Sequence, residues 1–244
     1  MKTYVVVIPA RLASTRLPNK PLINIAGKSM IQRTWEQVVK AVSMDKVYVL
    51  TDEESIVTHC LERKIQVELT SKDCLTGTDR VAEFALKYHY DYYINVQGDE
   101  PLTNPEDILK VIREIEMDTS DIINGYAEID NENDYISVTI PKVVFRPDNR
   151  LLYMSRSAIP GNKNKQLIKA FKQVCIYAFP KNALLHFYKT QSKTFLEYIE
   201  DIEILRFLEL GYEVKMIEMS KDSIAVDVPN DIEKVLKRLK EVND

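Results

Sequence analysis

Residues 5–22 read VVVIPARLASTRLPNKPL, and this stretch decides the fold class. The four β-branched residues from Val5 to Ile8 predict a buried strand that ends at Pro9. The loop that follows carries the cations Arg11, Arg16 and Lys20. In an α/β protein, a basic loop at the carboxyl end of a buried strand is a place where phosphate groups bind. An ordinary solvated surface loop has the same composition, so the loop alone leaves both interpretations open.

The first half of the chain alternates short apolar runs with amphipathic stretches. The predicted strands are residues 4–8, 46–50, 66–69 and 92–96. The predicted helices are residues 29–42, 53–63, 79–88 and 105–117. Asp52 and Thr78 are the predicted caps of the second and third helices. This alternation predicts βαβ units and a parallel sheet.

The pattern changes after residue 121. The predicted strands are then residues 122–129, 137–145, 151–154, 173–179 and 212–217. Residues 195–210 predict one long helix that Gly211 ends, and residues 230–242 predict a closing helix. The apolar face of the long helix comprises Phe195, Ile199, Ile202, Leu205 and Leu208. We therefore expect one α/β domain over residues 1–244, doubly wound, with a mostly parallel sheet and helices on both faces. Residues 121–180 form an inserted antiparallel section.

Composition excludes several classes of function. Lys and Arg number 33 against 37 Asp and Glu, and the resulting net charge of −4 argues against nucleic acid as a partner. We expect no membrane partner and a cytoplasmic location, because the sequence shows neither an apolar spanning run nor a signal peptide. The cysteines and histidines are both scattered, which predicts free thiols and a metal bound by oxygen, such as Mg²⁺.

A second fragment, NVQGDEP at residues 95–101, places acids at the end of another predicted strand. Cations for a polyphosphate and a carboxylate for its metal are the parts of a nucleotidyl-transfer site. Read alone, Gly98-Asp99 is equally typical of a simple turn. The loop after the first strand has no glycine before Gly27, which excludes a Walker loop or a dinucleotide fingerprint.

Four motifs together resemble one family. PARLASTRLPNKPL, TGTDRVAE, NVQGDEP and AVDVPNDI follow the order and spacing of the 3-deoxy-manno-octulosonate cytidylyltransferases, or CMP-Kdo synthetases. The resemblance covers about residues 4–235 and implies that CTP and Kdo give CMP-Kdo and pyrophosphate with Mg²⁺ as cofactor. It also implies a homodimer built through residues 121–180, and a product used in lipopolysaccharide or capsule synthesis.

The resemblance assigns the nucleotide half residue by residue. The implied catalytic residues are Arg11, Lys20, Asp99 and Asp227, of which the two aspartates bind the metal. The implied nucleotide-binding residues are Ala10, Arg11, Ser14, Arg16, Lys20, Gly77, Thr78 and Arg80. Without the family, TGTDR would be interpreted as a helix cap with a surface arginine, and Asp227 as an acid preceding a helix.

The sugar half departs from the family pattern. The implied substrate-binding residues are Gln97, Arg156, Gln173, Tyr177, Glu200 and Asp201. Gln173 stands where members have histidine, Cys175 where they have glycine, and Asp201 where they have glutamine. Because a changed polar group selects a different substrate, one hypothesis is an amino-substituted (for example 8-amino) Kdo, or another 2-keto-3-deoxy acid, whose ammonium pairs with Asp201. A solvated acidic helix face is the alternative for Glu200 and Asp201.

Two other functions fit the sequence less well. Nucleotidyltransferases that act on sugar 1-phosphates open with a glycine-rich loop, whereas this chain has Pro9-Ala10-Arg11. A catalytically silent nucleotide-binding protein on the same fold would not need both aspartates and all three loop cations, which are present here.

Overall fold

A computed structural model describes residues 2–12, 17–117, 121–164, 166–221 and 223–243. The strands are β1 (Tyr4–Pro9), β2 (Asn24–Ile25), β3 (Lys28–Ser29), β4 (Val47–Thr51), β5 (Val67–Leu69), β6 (Tyr92–Val96), β7 (Ile122–Glu128), β8 (Lys142–Phe145), β9 (Leu151–Ser155), β10 (Phe171–Pro180) and β11 (Val214–Glu218). The helices are α1 (Met30–Ala41), α2 (Glu54–Leu61), α3 (Gly77–Lys87), α4 (Pro105–Glu116), α5 (Glu132–Ile136), α6 (Lys181–Lys189), α7 (Phe195–Glu200), α8 (Ile204–Glu209) and α9 (Pro229–Asn243).

The main sheet has the order β11-β7-β10-β6-β1-β4-β5. β1 pairs in parallel with β4 and β6, β4 pairs in parallel with β5, and β11 with β7. β10 runs antiparallel to both of its neighbours, β6 and β7. The mostly parallel doubly wound fold is therefore confirmed. The section 121–180 supplies β7 and β10 to the main sheet itself, and β8 and β9 extend from β10.

Alternate residues of β1 face two separate cores. Val6 and Ile8 pack with apolar residues of α1, α2 and α4 on one face. Val5 and Val7 pack with those of α3, α6 and α8 on the other face. The period of two along a strand explains this division, and it explains why β1 is apolar on both sides.

The predicted helix over residues 195–210 is wrong, because the structure has two helices there. α7 ends at Asp201, whose φ of 51° is in the left-handed region, and α8 follows. Glu197 and Arg206 are nine residues apart, which would put them on opposite sides of one continuous helix. Their side chains instead meet at 2.5 Å, both fully buried, so the chain must turn between them. Phe195 and Ile199 of the predicted apolar face are consequently 73 % and 62 % exposed.

Both predicted caps are also wrong. Asp52 does not cap α2; its carboxylate forms an ion pair with Arg80 at 2.7 Å. The cap of α3 is Thr76, whose hydroxyl accepts a hydrogen bond from the amide of Asp79, while Thr78 lies inside the first turn.

Several segments of the second half differ from the prediction. The strand predicted over 137–145 is confined to β8, and the short helix α5 precedes it with Asn131 as its cap. The helix α6 was not predicted. The prediction of free thiols is confirmed for Cys60, Cys74 and Cys175. Within the described residues, no helix combines the length and apolar character needed to span a bilayer.

Candidate active site

A cleft of about 470 Å³ opens at the carboxyl ends of β1 and β6. Gly98 allows these two strand ends to come together, because a Cβ atom there would lie 2.7 Å from the carbonyl oxygen of Pro9. Its neighbour Asp99 is thereby held at the cleft wall. The residues lining the cleft are Pro9, Ala10, Arg11, Lys20, Pro21, Leu75, Thr76, Gly77, Arg80, Gln97, Gly98, Asp99, Lys193, Asp201, Glu203 and Asp227.

One end of the cleft contains an ammonium between two carboxylates. Lys20 Nζ lies 2.6 Å from Asp99 Oδ2 and 3.0 Å from Asp227 Oδ1. The amide of Val226 donates to the carbonyl of Asp99 at 3.0 Å, which brings the C-terminal segment to β6. The carboxylate of Asp231 accepts from the amide of Asp227 and fixes the start of α9. Burial lowers the pKa of Lys20, but the two carboxylates outweigh it and raise that pKa overall.

The N-terminus of α3 forms a second part of the wall. The amides of Gly77 and Thr78 donate to the carboxylate of Glu203 at 3.3 Å and 2.8 Å. Burial raises the pKa of Glu203, although these hydrogen bonds oppose the rise. Arg80 is held nearby by its ion pair with Asp52 and by a 2.7 Å hydrogen bond to the hydroxyl of Thr70.

A second ionic cluster of the cleft contains Lys193 and Asp201. Lys193 Nζ lies 2.5 Å from Asp201 Oδ1, and Arg156 Nη2 lies 3.8 Å from Asp201 Oδ2. The hydrogen bond from Lys193 holds the pKa of Asp201 below its usual range, against the effect of burial. The cleft therefore contains one cluster with two carboxylates around an ammonium and another with two cationic groups around a carboxylate.

Comparison with known proteins identifies the family. A sequence model described as cytidylyltransferase matches residues 5–220. The chain is 39 % identical over 247 residues to the 3-deoxy-manno-octulosonate cytidylyltransferase of Geotalea daltonii, covering 96 % of this chain and 97 % of the relative. The chain belongs to this family.

Another cytidylyltransferase of the same name, from Geotalea uraniireducens, is 39 % identical over 246 residues and is covered over 98 % of its length. The solved structure of CMP:2-keto-3-deoxy-manno-octonic acid synthetase complexed with CTP superposes with a TM-score of 0.89 at 32 % identity. That match covers 98 % of this chain and 99 % of the solved one. The family and its fold thus extend over nearly the whole cytidylyltransferase chain.

The cleft brings together most of the residues assigned to the nucleotide and the metal. Ser14 and Arg16 lie outside the described residues. The predicted residues that line the cleft of this cytidylyltransferase are Ala10, Arg11, Lys20, Gly77, Arg80, Gln97, Asp99, Asp201 and Asp227. Thr78 lies beside it, with its amide bound to Glu203.

Four residues assigned to the sugar lie outside the lining of the cleft. Glu200 accepts hydrogen bonds from Tyr153, Ser155 and the amide of Arg156. The Arg156 guanidinium donates to the carbonyls of Val138, Glu200 and Asp201. These two side chains therefore brace the end of α7, and their contact with a sugar stays a prediction.

The other two belong to β10. Gln173 Nε2 donates to Asn124 Oδ1 at 3.0 Å. Tyr177 is buried in the core beside α3, and burial raises its pKa well above the ordinary value. Their roles toward the sugar likewise stay predictions.

Sequence reasoning missed Glu203 and Lys193. A continuous helix over residues 195–210 does not predict that the Glu203 side chain contacts α3. In that prediction Lys193 is an ordinary surface lysine before a helix. No local signal in the sequence reveals either residue, because their placement depends on the buried ion pair of Glu197 and Arg206 that breaks the helix.

Proposed function

We propose that this cytidylyltransferase transfers the CMP group of CTP to the anomeric C2 hydroxyl of Kdo, giving CMP-Kdo and pyrophosphate. The observation that carries the proposal is the cleft in which Lys20 lies between Asp99 and Asp227 at the end of β6. Relatives of similar length named for this activity, such as that of Geotalea daltonii, support the choice of substrates. We further propose that the product is used in lipopolysaccharide or capsule synthesis.

The two aspartates suit Mg²⁺ as donors. Among the described residues, no group of three or more His, Cys, Asp or Glu side chains is placed to hold a metal. Mg²⁺ does not require one, because it commonly binds one or two carboxylates and completes its shell with water and substrate phosphates. Asp99 and Asp227 would hold it, and their attraction for a cation is visible in the ammonium that lies between them. When bound, the ion would offset the negative charge of the two reactants and lower the pKa of the attacking hydroxyl.

The chain's own residues supply the rest of the chemistry. The C2 hydroxyl attacks the α-phosphorus in line, and the bond from this phosphorus to the oxygen that bridges it to the β-phosphate breaks. Pyrophosphate leaves with that oxygen, and the hydroxyl proton passes to solvent. Arg11, at the cleft wall, and Lys20 would stabilise the charge that builds on the pyrophosphate. Lys20 is positively charged at neutral pH, and its two carboxylate neighbours raise its pKa further. No described residue lining the cleft is a histidine, and we assign no general base.

Kdo is a better candidate than an amino-substituted sugar. The amino-sugar hypothesis requires that Asp201 await a cation from the substrate. In the structure, Asp201 already binds Lys193 at 2.5 Å, so a substrate ammonium would have to displace Lys193 and would meet its charge.

The test is pyrophosphate release by the purified protein with CTP and MgCl₂, supplied in parallel with Kdo and with 8-amino-substituted Kdo. Kdo should be turned over, and turnover should cease when EDTA exceeds the magnesium. Asp99→Asn is the matched variant, because it preserves shape and removes one carboxylate charge. Binding of CTP without turnover of either sugar would refute the proposal and favour the silent binding protein.

We also propose a homodimer built through residues 121–180. Large apolar side chains of this section are strongly exposed: Ile136 is 59 %, Val138 66 %, Leu152 58 % and Ile168 82 % exposed. Burial in a dimer would remove this apolar surface from water. We propose a cytoplasmic location, with which the three free cysteines are consistent.

A further inference from the structure

Lys193 is a cleft cation to which the family resemblance gives no role. Its ammonium lines the cleft, and its side chain is 27 % exposed. One of its three N–H donors is directed at Asp201 Oδ1. The remaining donors are available to a molecule in the cleft.

The helix α7, which follows Lys193, is fixed at both of its ends. Thr194, the next residue, is the cap of α7 in a capping box with Glu197. Asp201 ends the same helix in the left-handed conformation, and its carbonyl accepts from Arg156 Nη2 at 2.9 Å. The Lys193–Asp201 pair is thus held by the two ends of one helical segment, so the ammonium has a defined position.

The two ionic clusters of the cleft differ in charge. Around Asp99, two carboxylates surround one ammonium, which favours a cation. Around Asp201, Lys193 and Arg156 both lie near its carboxylate, and Arg11 also acts on it. The nearby carboxylates are already engaged, that of Glu200 by the Arg156 amide and two hydroxyls and that of Glu203 by the amides of Gly77 and Thr78. The Lys193 ammonium is therefore available to the oxygens of an anionic, hydroxyl-rich molecule.

We propose that Lys193 donates hydrogen bonds to oxygen atoms of the acidic sugar and is a specificity-determining residue, with Asp201 as its positioning partner. This inference rests on the proposed function. The Lys193–Asp201 pair would then favour sugars that carry an oxygen on the carbon facing Lys193. A sugar with an ammonium on that carbon would be repelled by the charge of Lys193.

The test compares steady-state kinetics of the wild type, Lys193→Met and Lys193→Ala, varying Kdo and CTP separately with MgCl₂ present. Loss of a charged hydrogen bond should raise the KM for Kdo about 10-fold to 100-fold. The KM for CTP should change less than about twofold, since Lys193 is assigned to the sugar alone. Lys189→Ala, at the exposed end of α6, is the matched control and should leave both values unchanged.

A second measurement separates contact from mere structural support. In Lys193→Met the carboxylate of Asp201 loses its ammonium partner, so the ratio of kcat/KM for 8-amino-substituted Kdo to that for Kdo should rise at least about 10-fold. An unchanged KM for Kdo, an unchanged ratio, or an equal rise in both KM values would overturn the inference while wild-type turnover persists. Lack of turnover by the wild type would instead refute the proposed function.

Discussion

Arg206 is the side chain whose removal should most destabilise this protein. Its guanidinium is fully buried, and it binds Glu197 through Nε at 2.5 Å and through Nη2 at 2.7 Å. Nη1 lies 3.1 Å from Asp79, and the guanidinium carbon lies 3.7 Å from the centre of the Phe187 ring. The change Arg206→Met keeps an unbranched apolar stem, shorter than that of arginine, and leaves the buried Glu197 carboxylate without its cation.

Removing one partner of a buried ion pair costs about 3–5 kcal/mol. Since domains are stable by about 5–15 kcal/mol, Arg206→Met should remove a large fraction of the free energy of unfolding. The double change Arg206→Met with Glu197→Gln removes the stranded charge and leaves a neutral amide. Its cost should fall to about 1–3 kcal/mol, so the double variant should be more stable than the single one.

The assay is urea denaturation at pH 7, followed by far-ultraviolet circular dichroism and by the fluorescence of Trp35, the single tryptophan. The control is Arg238→Met on α9, whose exposed pair with Glu241 should contribute less than about 1 kcal/mol. A loss below about 1 kcal/mol for Arg206→Met would refute the reasoning. So would a double variant no more stable than the single one.

Four further predictions follow from the cleft and the surface. Asp99→Asn should lower kcat about 100-fold or more while CTP still binds, as measured by pyrophosphate release and calorimetry; near-normal turnover would remove Asp99 from the metal site. Gly98→Ala should lower kcat/KM about 100-fold, because its Cβ atom would force the backbone of Pro9 and the adjoining Asp99 to shift; a crystal structure of the variant should show the displacement, and unchanged kinetics would contradict it. Burial raises the pKa of Glu100 from 4.5 to about 7, so the carboxyl group stabilises the folded state below pH 4.5 and that contribution is lost as the pH rises through 7. At about 1.4 kcal/mol per pH unit, the free energy of unfolding should fall by about 3 kcal/mol over this range. Measured by urea denaturation in EDTA, the Glu100→Gln variant should lack this decline. Parallel curves of unfolding free energy against pH for the wild type and the variant would refute the shift. Ile168→Glu should convert the proposed dimer to a monomer in light scattering after size-exclusion chromatography; a wild type that is monomeric, or a variant that stays dimeric, would place the interface elsewhere.

The parts of the fold predicted well from sequence are those whose signal is local. β6 was predicted with its exact bounds, and β1 with one residue fewer, because apolar runs of this length have few alternatives. The resemblance assigns Asp99, Arg11 and Lys20 to one site, and the structure places these three residues in one cleft. Parallel strands end at the same edge of a sheet, but only the structure shows that β1 and β6 are neighbours.

The parts predicted poorly depend on contacts between distant residues. The break at Asp201 follows from the buried pair of Glu197 and Arg206, which periodicity in a single helix does not reveal. The same break points Glu203 at α3, 125 residues away in sequence from Thr78. Asp52 was predicted as a local cap, but its partner Arg80 lies on another helix. Local propensity gave no warning in any of these cases because the competing interaction is tertiary.

The link between Val226 and Asp99 has a consequence for what a shortened chain would lose. β11 is the last strand of the main sheet and ends at Glu218, whereas Asp227 comes later in the chain. A chain cut after β11 would keep every described strand of the main sheet but would lose the second carboxylate. Such a shortened protein would retain Asp99 and Lys20 while lacking half of its proposed magnesium ligands. The framework and the proposed metal site are therefore encoded in separable parts of the sequence.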